Sequence, residues 1–219
     1  MKHQWIKQQG HNELIVFFNG WGMGASAISH LQGEFDIIMM YDYRDLLIDT
    51  EVNFKRYSKC YLIAWSMGVW AASRYLKDHS TDFDLKIAIN GTDNPIHPDW
   101  GIPPRIYNLT ERTMGEEGRQ LFIRRMMPTH SSQVDVNYLL SDRSLNEVCE
   151  ELCFIKKQWD GTAHNVSWNY VIIGDEDVIF SAVNQRNWCE AYGIKYHMQS
   201  GGHYLFANLT SWNELITSI

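Results

Sequence analysis

No apolar run in this 219-residue chain approaches the ~18 residues that a membrane-spanning helix needs. The start, Met1-Lys2-His3-Gln4-Trp5, also lacks the apolar core of a secretion signal, so the reading from sequence places the protein in the cytoplasm and away from membranes. Cysteine is scarce, and the four present (Cys60, Cys149, Cys153, Cys189) show no paired zinc spacing. A disulfide scaffold would be unusual in a chain with this much core, and free thiols in a reducing compartment are the simplest account. Basic residues are outnumbered, 19 Lys and Arg against 26 Asp and Glu, for a formal net charge of −7. That balance argues against wholesale nucleic-acid binding, which usually shows a basic domain, and leaves any anionic partner dependent on a local positive patch. No His/Asp/Glu pair stands at helical ligand spacing in a setting that suggests a metal, and no repeat, low-complexity tract or linker interrupts the chain.

What is present is hydrophobic: 45% of the residues, with 13% aromatic, ample for the core of one sizeable domain carrying an insertion. Continuous apolar runs recur at Leu14 to Phe18, Phe35 to Tyr41, Tyr61 to Trp65, Leu85 to Asn90, Trp168 to Gly174 and Lys195 to Met198. Runs without a polar alternation, separated by helical or polar stretches, predict a mostly parallel sheet buried on both faces, hence α/β architecture. Helices are predicted near Ser26 to Leu31, after Ser66, from Ala182 to Tyr192 between Ser181 and Gly193, and from about Thr210 to Ile216. Between 94 and 165 the alternation stops. Pro95, Pro98, Pro103 and Pro104 make an irregular entry, followed by helical spacing from Glu116 to Met127 and from Ser144 to Trp159. The expected organisation is a core of residues 1–93 and 166–219 with a helical cap of residues 94–165 over the carboxyl edge of the sheet.

The stretch Ala64-Trp65-Ser66-Met67-Gly68 ends an apolar strand and opens a helix, with small residues two places either side of the serine. Such a turn projects the serine hydroxyl from the sheet, and the small neighbours keep helix and strand from colliding. By itself the pattern also fits a buried strand running into a helix whose N-cap is a serine. A nucleophilic serine, however, requires a base and then an acid to hold the base, and both follow in the order Ser, Asp, His. Asp175-Glu176-Asp177 follows the strand ending at Gly174, and His203 follows Gly201-Gly202. A Gly-x-x-Asp spacing selects Asp177 as the acid, with Asp175 as the alternative. Gly20-Trp21-Gly22, ending the first of these strands, fits an ordinary strand-to-helix turn; in an α/β-hydrolase it is where the first oxyanion donor lies, and there Trp21 would supply one backbone N–H and Met67, after the serine, the second.

Together, Gly20-Trp21-Gly22, Trp65-Ser66-Met67-Gly68, Asp177 and His203 resemble the α/β-hydrolases that demethylate pimeloyl-acyl carrier protein methyl ester in biotin synthesis. The short chain and the stretches Asn90-Gly91-Thr92, Gly101-Ile102-Pro103-Pro104 and Arg124-Arg125-Met126 are similar to the BioG-type esterases rather than the longer BioH-type. The resemblance implies a serine carboxylesterase with catalytic Ser66, Asp177 and His203, oxyanion donors Trp21 and Met67, and no cofactor or metal. It also implies an acyl carrier protein as partner. The cap arginines Arg112, Arg119, Arg124 and Arg125, with Arg105 nearby, fit a solvated face with local ion pairs, or else the local positive surface that an acidic carrier needs on a chain of net charge −7. The same triad serves general carboxylesterases and acyl-carrier thioesterases, and the same fold serves non-catalytic binding proteins.

Overall fold

Leu14 to Phe18 has no polar face, and a strand without one must be covered on both sides; all five residues are fully buried. They belong to the second of seven strands in a computed structural model that describes residues 1–47, 52–79, 83–128, 137–162 and 166–217. The strands are β1 (Lys2–Lys7), β2 (Glu13–Phe18), β3 (Asp36–Tyr41), β4 (Lys59–Trp65), β5 (Leu85–Ile89), β6 (Tyr170–Gly174) and β7 (Tyr196–Gln199). They form one sheet in the order β1-β3-β2-β4-β5-β6-β7. Every pairing is parallel except β1 with β3. This is the α/β-hydrolase fold.

The helices are α1 (Met67–Asp78), α2 (Pro104–Thr113), α3 (Glu116–Arg125), α4 (Leu145–Gln158), α5 (Ala182–Tyr192) and α6 (Trp212–Thr217). α5 starts and ends where the sequence predicts. The Ser181 hydroxyl accepts the Asn184 N–H, and Gly193 closes the helix in the left-handed conformation at φ 65°. α4 opens with a capping box between Ser144 and Glu147. Among the described residues no helix is long and apolar enough to cross a membrane, and the four cysteines are unpaired.

Four elements depart from the sequence reading. β1 carries no long apolar run and alternates between exposed and half-buried residues, as an edge strand does, and so leaves little hydrophobic signal. The helix predicted near Ser26 to Leu31 is a single 3-10 turn, Ala25–Ala27, because so short a segment closes barely one turn and does not repay its nucleation cost. α2 was hidden by Pro103-Pro104: Pro104 occupies the first helical position, where the missing N–H costs nothing. α3 stops at Arg125 rather than Met127, since Pro128 disfavours helical geometry in the residue before it. α2, α3 and α4 all lie in the segment between β5 and β6.

Candidate active site

The elbow is built as the residue pattern requires. Ser66 joins β4 to α1 at φ 59° and ψ −127°, a conformation costing a β-carbon residue about 1–3 kcal/mol. Its N–H donates to Ile89 O at 2.9 Å and its carbonyl accepts Val69 N–H at 3.0 Å, so the sheet and the helix both hold it. A β-carbon at Gly68 would stand 2.3 Å from Phe18 O, so only glycine lets α1 pack this closely on the end of β2.

Ser66 Oγ lies 2.8 Å from His203 Nε2, and His203 Nδ1 lies 2.9 Å from Asp177 Oδ2. A carboxylate only accepts, so Nδ1 carries the proton and Nε2 is left to accept from the serine hydroxyl. All three residues are buried. The carboxylate is held from further sides. Oδ1 accepts the N–H groups of Ile179 (2.8 Å) and Phe180 (3.1 Å), and Oδ2 accepts Gln185 Nε2 at 2.9 Å. Asp175, the alternative acid, is exposed and accepts Gly201 N–H at 2.9 Å instead.

The histidine loop is latched by Asn90, at φ 45° past the end of β5. Its Nδ2 donates to Gly202 O and His203 O, both at 2.9 Å, and its Oδ1 accepts Gly174 N–H at 2.7 Å. The Trp65 indole N–H also donates to His203 O at 2.9 Å. One buried asparagine thus ties the loop of the histidine to the strand end that leads to the acid.

Met67 is the first residue of α1, so its N–H has no partner within the helix. Trp21 lies in the turn after β2, whose bond runs from Met23 N–H to Gly20 O and does not use the Trp21 N–H. Gly22 follows at φ 70°. The segment between β5 and β6 fixes the loop. The Trp21 indole donates to Val148 O at 2.8 Å, Gly22 N–H to Glu151 Oε2 at 3.3 Å, and Ser141 Oγ to Gly22 O at 2.7 Å.

Ser66 opens onto an apolar pocket between the sheet edge and the helices that lie between β5 and β6. Trp21, Met67, Ile102, Ile106, Tyr107, Phe122, Leu152, Val178 and Ile179 line it, and apart from Ser66 its polar members are Thr110 and Arg125. The lining beside Ser66 is thus predominantly apolar, with few polar groups.

The arginines divide. Arg105, Arg112, Arg124 and Arg125 are exposed and form no ion pair among the described residues. Arg119 corrects the sequence reading. It is 8% exposed, and its guanidinium is spent on Arg143 O (3.0 Å), Ser141 O (2.8 Å) and Ser141 Oγ (3.0 Å). It faces inward because Ile123, four residues on, shares the buried side of α3. The arginine absent from the sequence reading, Arg143, pairs with fully buried Glu151 at 2.6 Å and with Asp42 at 3.1 Å. Burial pushes the Glu151 carboxyl up, opposed by Arg143. Burial acts the same way on Asp42, but Arg44, Lys2 and Arg143 hold it well below the usual carboxylate range. Gln185, Glu151 and Ser141 carried no motif, and Asn90 stood in the Asn90-Gly91-Thr92 stretch without a role assigned to it. The available clue was Asn90-Gly91 at a strand end, a pair suited to positive φ.

A family model described as Pimeloyl-ACP methyl esterase BioG matches residues 1–215. The crystal structure of SeMet-BioG from Haemophilus influenzae superposes with a TM-score of 0.88 at 30% identity, covering 98% of this chain and 99% of that one. A malonyl-[acyl-carrier protein] O-methyltransferase of Bacteroides fragilis (strain 638R) is 38% identical over 194 residues, 88% of this chain. The chain spans only 39% of that relative's length. The enol-lactonase of Burkholderia xenovorans LB400, at 13% identity and a TM-score of 0.66 over 94% of this chain and 90% of that one, shares the fold.

Proposed function

The chain belongs to the pimeloyl-ACP methyl esterase BioG family, and from that premise we propose that it hydrolyses the methyl ester of pimeloyl-acyl carrier protein, with Ser66 as nucleophile. The observation that carries the reading is the buried chain Ser66–His203–Asp177, with contacts of 2.8 and 2.9 Å, at the edge of an apolar pocket.

His203 Nε2 takes the Ser66 proton as Oγ attacks the ester carbonyl, and Asp177 steadies the imidazolium. The negative charge that develops on the carbonyl oxygen falls to the N–H groups of Trp21 and Met67. Methoxide leaves, taking the proton from Nε2 to become methanol. Water then gives a proton to His203, attacks the acyl-serine, and releases the free carboxylate with Ser66 restored. No cofactor enters.

The thioester at the far end of the acyl chain survives if the chain enters with its methyl ester foremost and its carrier outside. The exposed arginines suit that arrangement. Arg125 stands in the pocket lining, and Arg124, Arg112 and Arg105 lie exposed on α2 and α3. A protein of net charge −7 repels an acidic carrier overall, so docking relies on such a local surface. The Bacteroides fragilis relative, named for an acyl-carrier substrate, supports a carrier-linked reaction.

The test is incubation with pimeloyl-carrier protein methyl ester, read by intact mass. Loss of the methyl group alone, with the acyl chain retained on the carrier, is the expected result. Loss of the whole acyl chain would make the protein a thioesterase, and an unchanged carrier would overturn the reading.

A further inference from the structure

We propose that Glu151, on α4 of the inserted segment, is a positioning residue that sets the oxyanion-donating loop. The proposal rests on the function above and extends it to a residue that does not touch the substrate.

Gly22 is gripped at both polar atoms. Its N–H is taken by Glu151 and its carbonyl by the Ser141 hydroxyl, which Arg119 holds in turn. One turn earlier on α4, Val148 O takes the Trp21 indole, and the ring meets Phe122 of α3 edge-on at 4.9 Å. The proposed donor is the N–H of the Gly20–Trp21 peptide, and the neighbouring Trp21–Gly22 peptide is the one Glu151 fixes. Gly22 has no β-carbon to limit its rotation, so the loop's orientation comes from these partners. An oxyanion donor earns its effect only when it is aimed in advance at the position of the developing charge.

The second oxygen of Glu151 accepts Tyr43 N–H at 2.7 Å, which ties the loop after β3 to the same carboxylate. A bare buried anion beside a developing oxyanion would oppose it. Arg143, with 9% of its side chain exposed, pairs with Glu151 at 2.6 Å and offsets its charge, while also pairing with Asp42 at 3.1 Å. This accounts for a fully buried glutamate in the inserted segment that the triad does not use.

Glu151→Gln keeps the side-chain shape but cannot accept from Gly22, Tyr43 and Arg143 together. On a small soluble ester its kcat should fall about 10- to 100-fold, less than or near the loss of a whole oxyanion donor, with KM little changed. Affinity for a trifluoromethyl ketone, which forms a tetrahedral oxyanion adduct on a serine, should fall in proportion to kcat/KM. Ser141→Ala releases only the carbonyl side and should show the same pattern with a smaller loss, which keeps the test open if Glu151→Gln does not fold. A lowered Tm with wild-type kcat and analogue affinity in the folded variants would make the contacts structural and overturn the proposal. A kcat loss without a matching loss of analogue affinity would also overturn it. If the wild type itself neither hydrolyses esters nor binds the ketone, the serine-esterase reading fails first.

Discussion

His203 and Asp177 take their hydrogen bonds from the sheet and α5, through Asn90, Trp65 and Gln185, whereas Trp21 and Gly22 take theirs from the segment inserted between β5 and β6, through Val148, Glu151 and Ser141. These two side chains are therefore held mainly by the core, with one tie to the other segment where Tyr204 N–H, next to His203, donates to Met126 O at 2.9 Å. The Trp21 loop, the proposed oxyanion side, is as rigid as the seating of α3 and α4, which also contribute Phe122, Arg125 and Leu152 to the pocket lining. Disturbing that segment should weaken transition-state stabilisation without dismantling the proton path, so the two halves of the site are separable by mutation.

Ser66→Ala or His203→Ala breaks the core half outright, and either should lower kcat on esters by about 10⁶ if the three residues act as a unit. Steady-state assay of a small ester checks this, and a rate near wild type for either variant refutes the mechanism. Asp177→Asn should cost about 10⁴ by favouring the wrong histidine tautomer. Asp175→Asn, whose amide oxygen can still accept Gly201 N–H, should cost far less, and a reversed order would reassign the acid.

The inserted half gives smaller and differently shaped effects. Arg119→Ala leaves the carbonyls of Ser141 and Arg143 short of donors, at about 1–3 kcal/mol for each buried group left unsatisfied. It should lower Tm and slow carrier-bound and soluble esters alike. Arg124→Glu or Arg112→Glu should instead raise KM for the carrier-bound ester, with a much smaller change on the soluble one. Added salt should weaken the wild-type carrier reaction more than the variants'. Equal losses on both substrates from Arg124→Glu would mean that it serves the fold, as Arg119 does.

The smallest expected effect on catalysis comes from Asp93, 3% exposed past the end of β5, whose carboxyl is pushed up to about 7 by burial, against the amide of Asn94. An acid raised in the folded state gives a stabilising contribution that is present in full below its usual 3.8 and is lost as pH rises through about 7. Asp93→Asn should flatten that part of the curve, so that Tm of the variant gains on the wild type between pH 5 and pH 8. Parallel Tm curves would mean that Asp93 does not titrate across this window.

The core half was the more legible in the sequence. Buried parallel strands are continuous apolar runs, and β2, β4 and β6 read as such. Ser66, Asp177 and His203 follow strand ends in a fixed order, and Ser181 and Gly193 mark the ends of α5. The inserted half resisted because its determinants are single contacts between distant residues. Nothing in the spacing of Glu151 and Gly22, 129 residues apart, announces a hydrogen bond. Arg119 and Arg124 look alike in composition, and only the packing of α3 separates an anchor from a surface charge. Pro103-Pro104 reads as a break in one dimension and as a helix start in three. β1 shows what edge strands generally do, since half exposure removes the apolar continuity that marks their neighbours.

The claim on which all of this depends is that Ser66 is an activated nucleophile. The most direct measurement is labelling of the intact protein with a fluorophosphonate probe, with the modified residue mapped by peptide mass. The account predicts stoichiometric label on Ser66, lost in His203→Ala and retained in Asp175→Asn. Label elsewhere on the chain, or label on Ser66 that persists at the wild-type rate without His203, would contradict it.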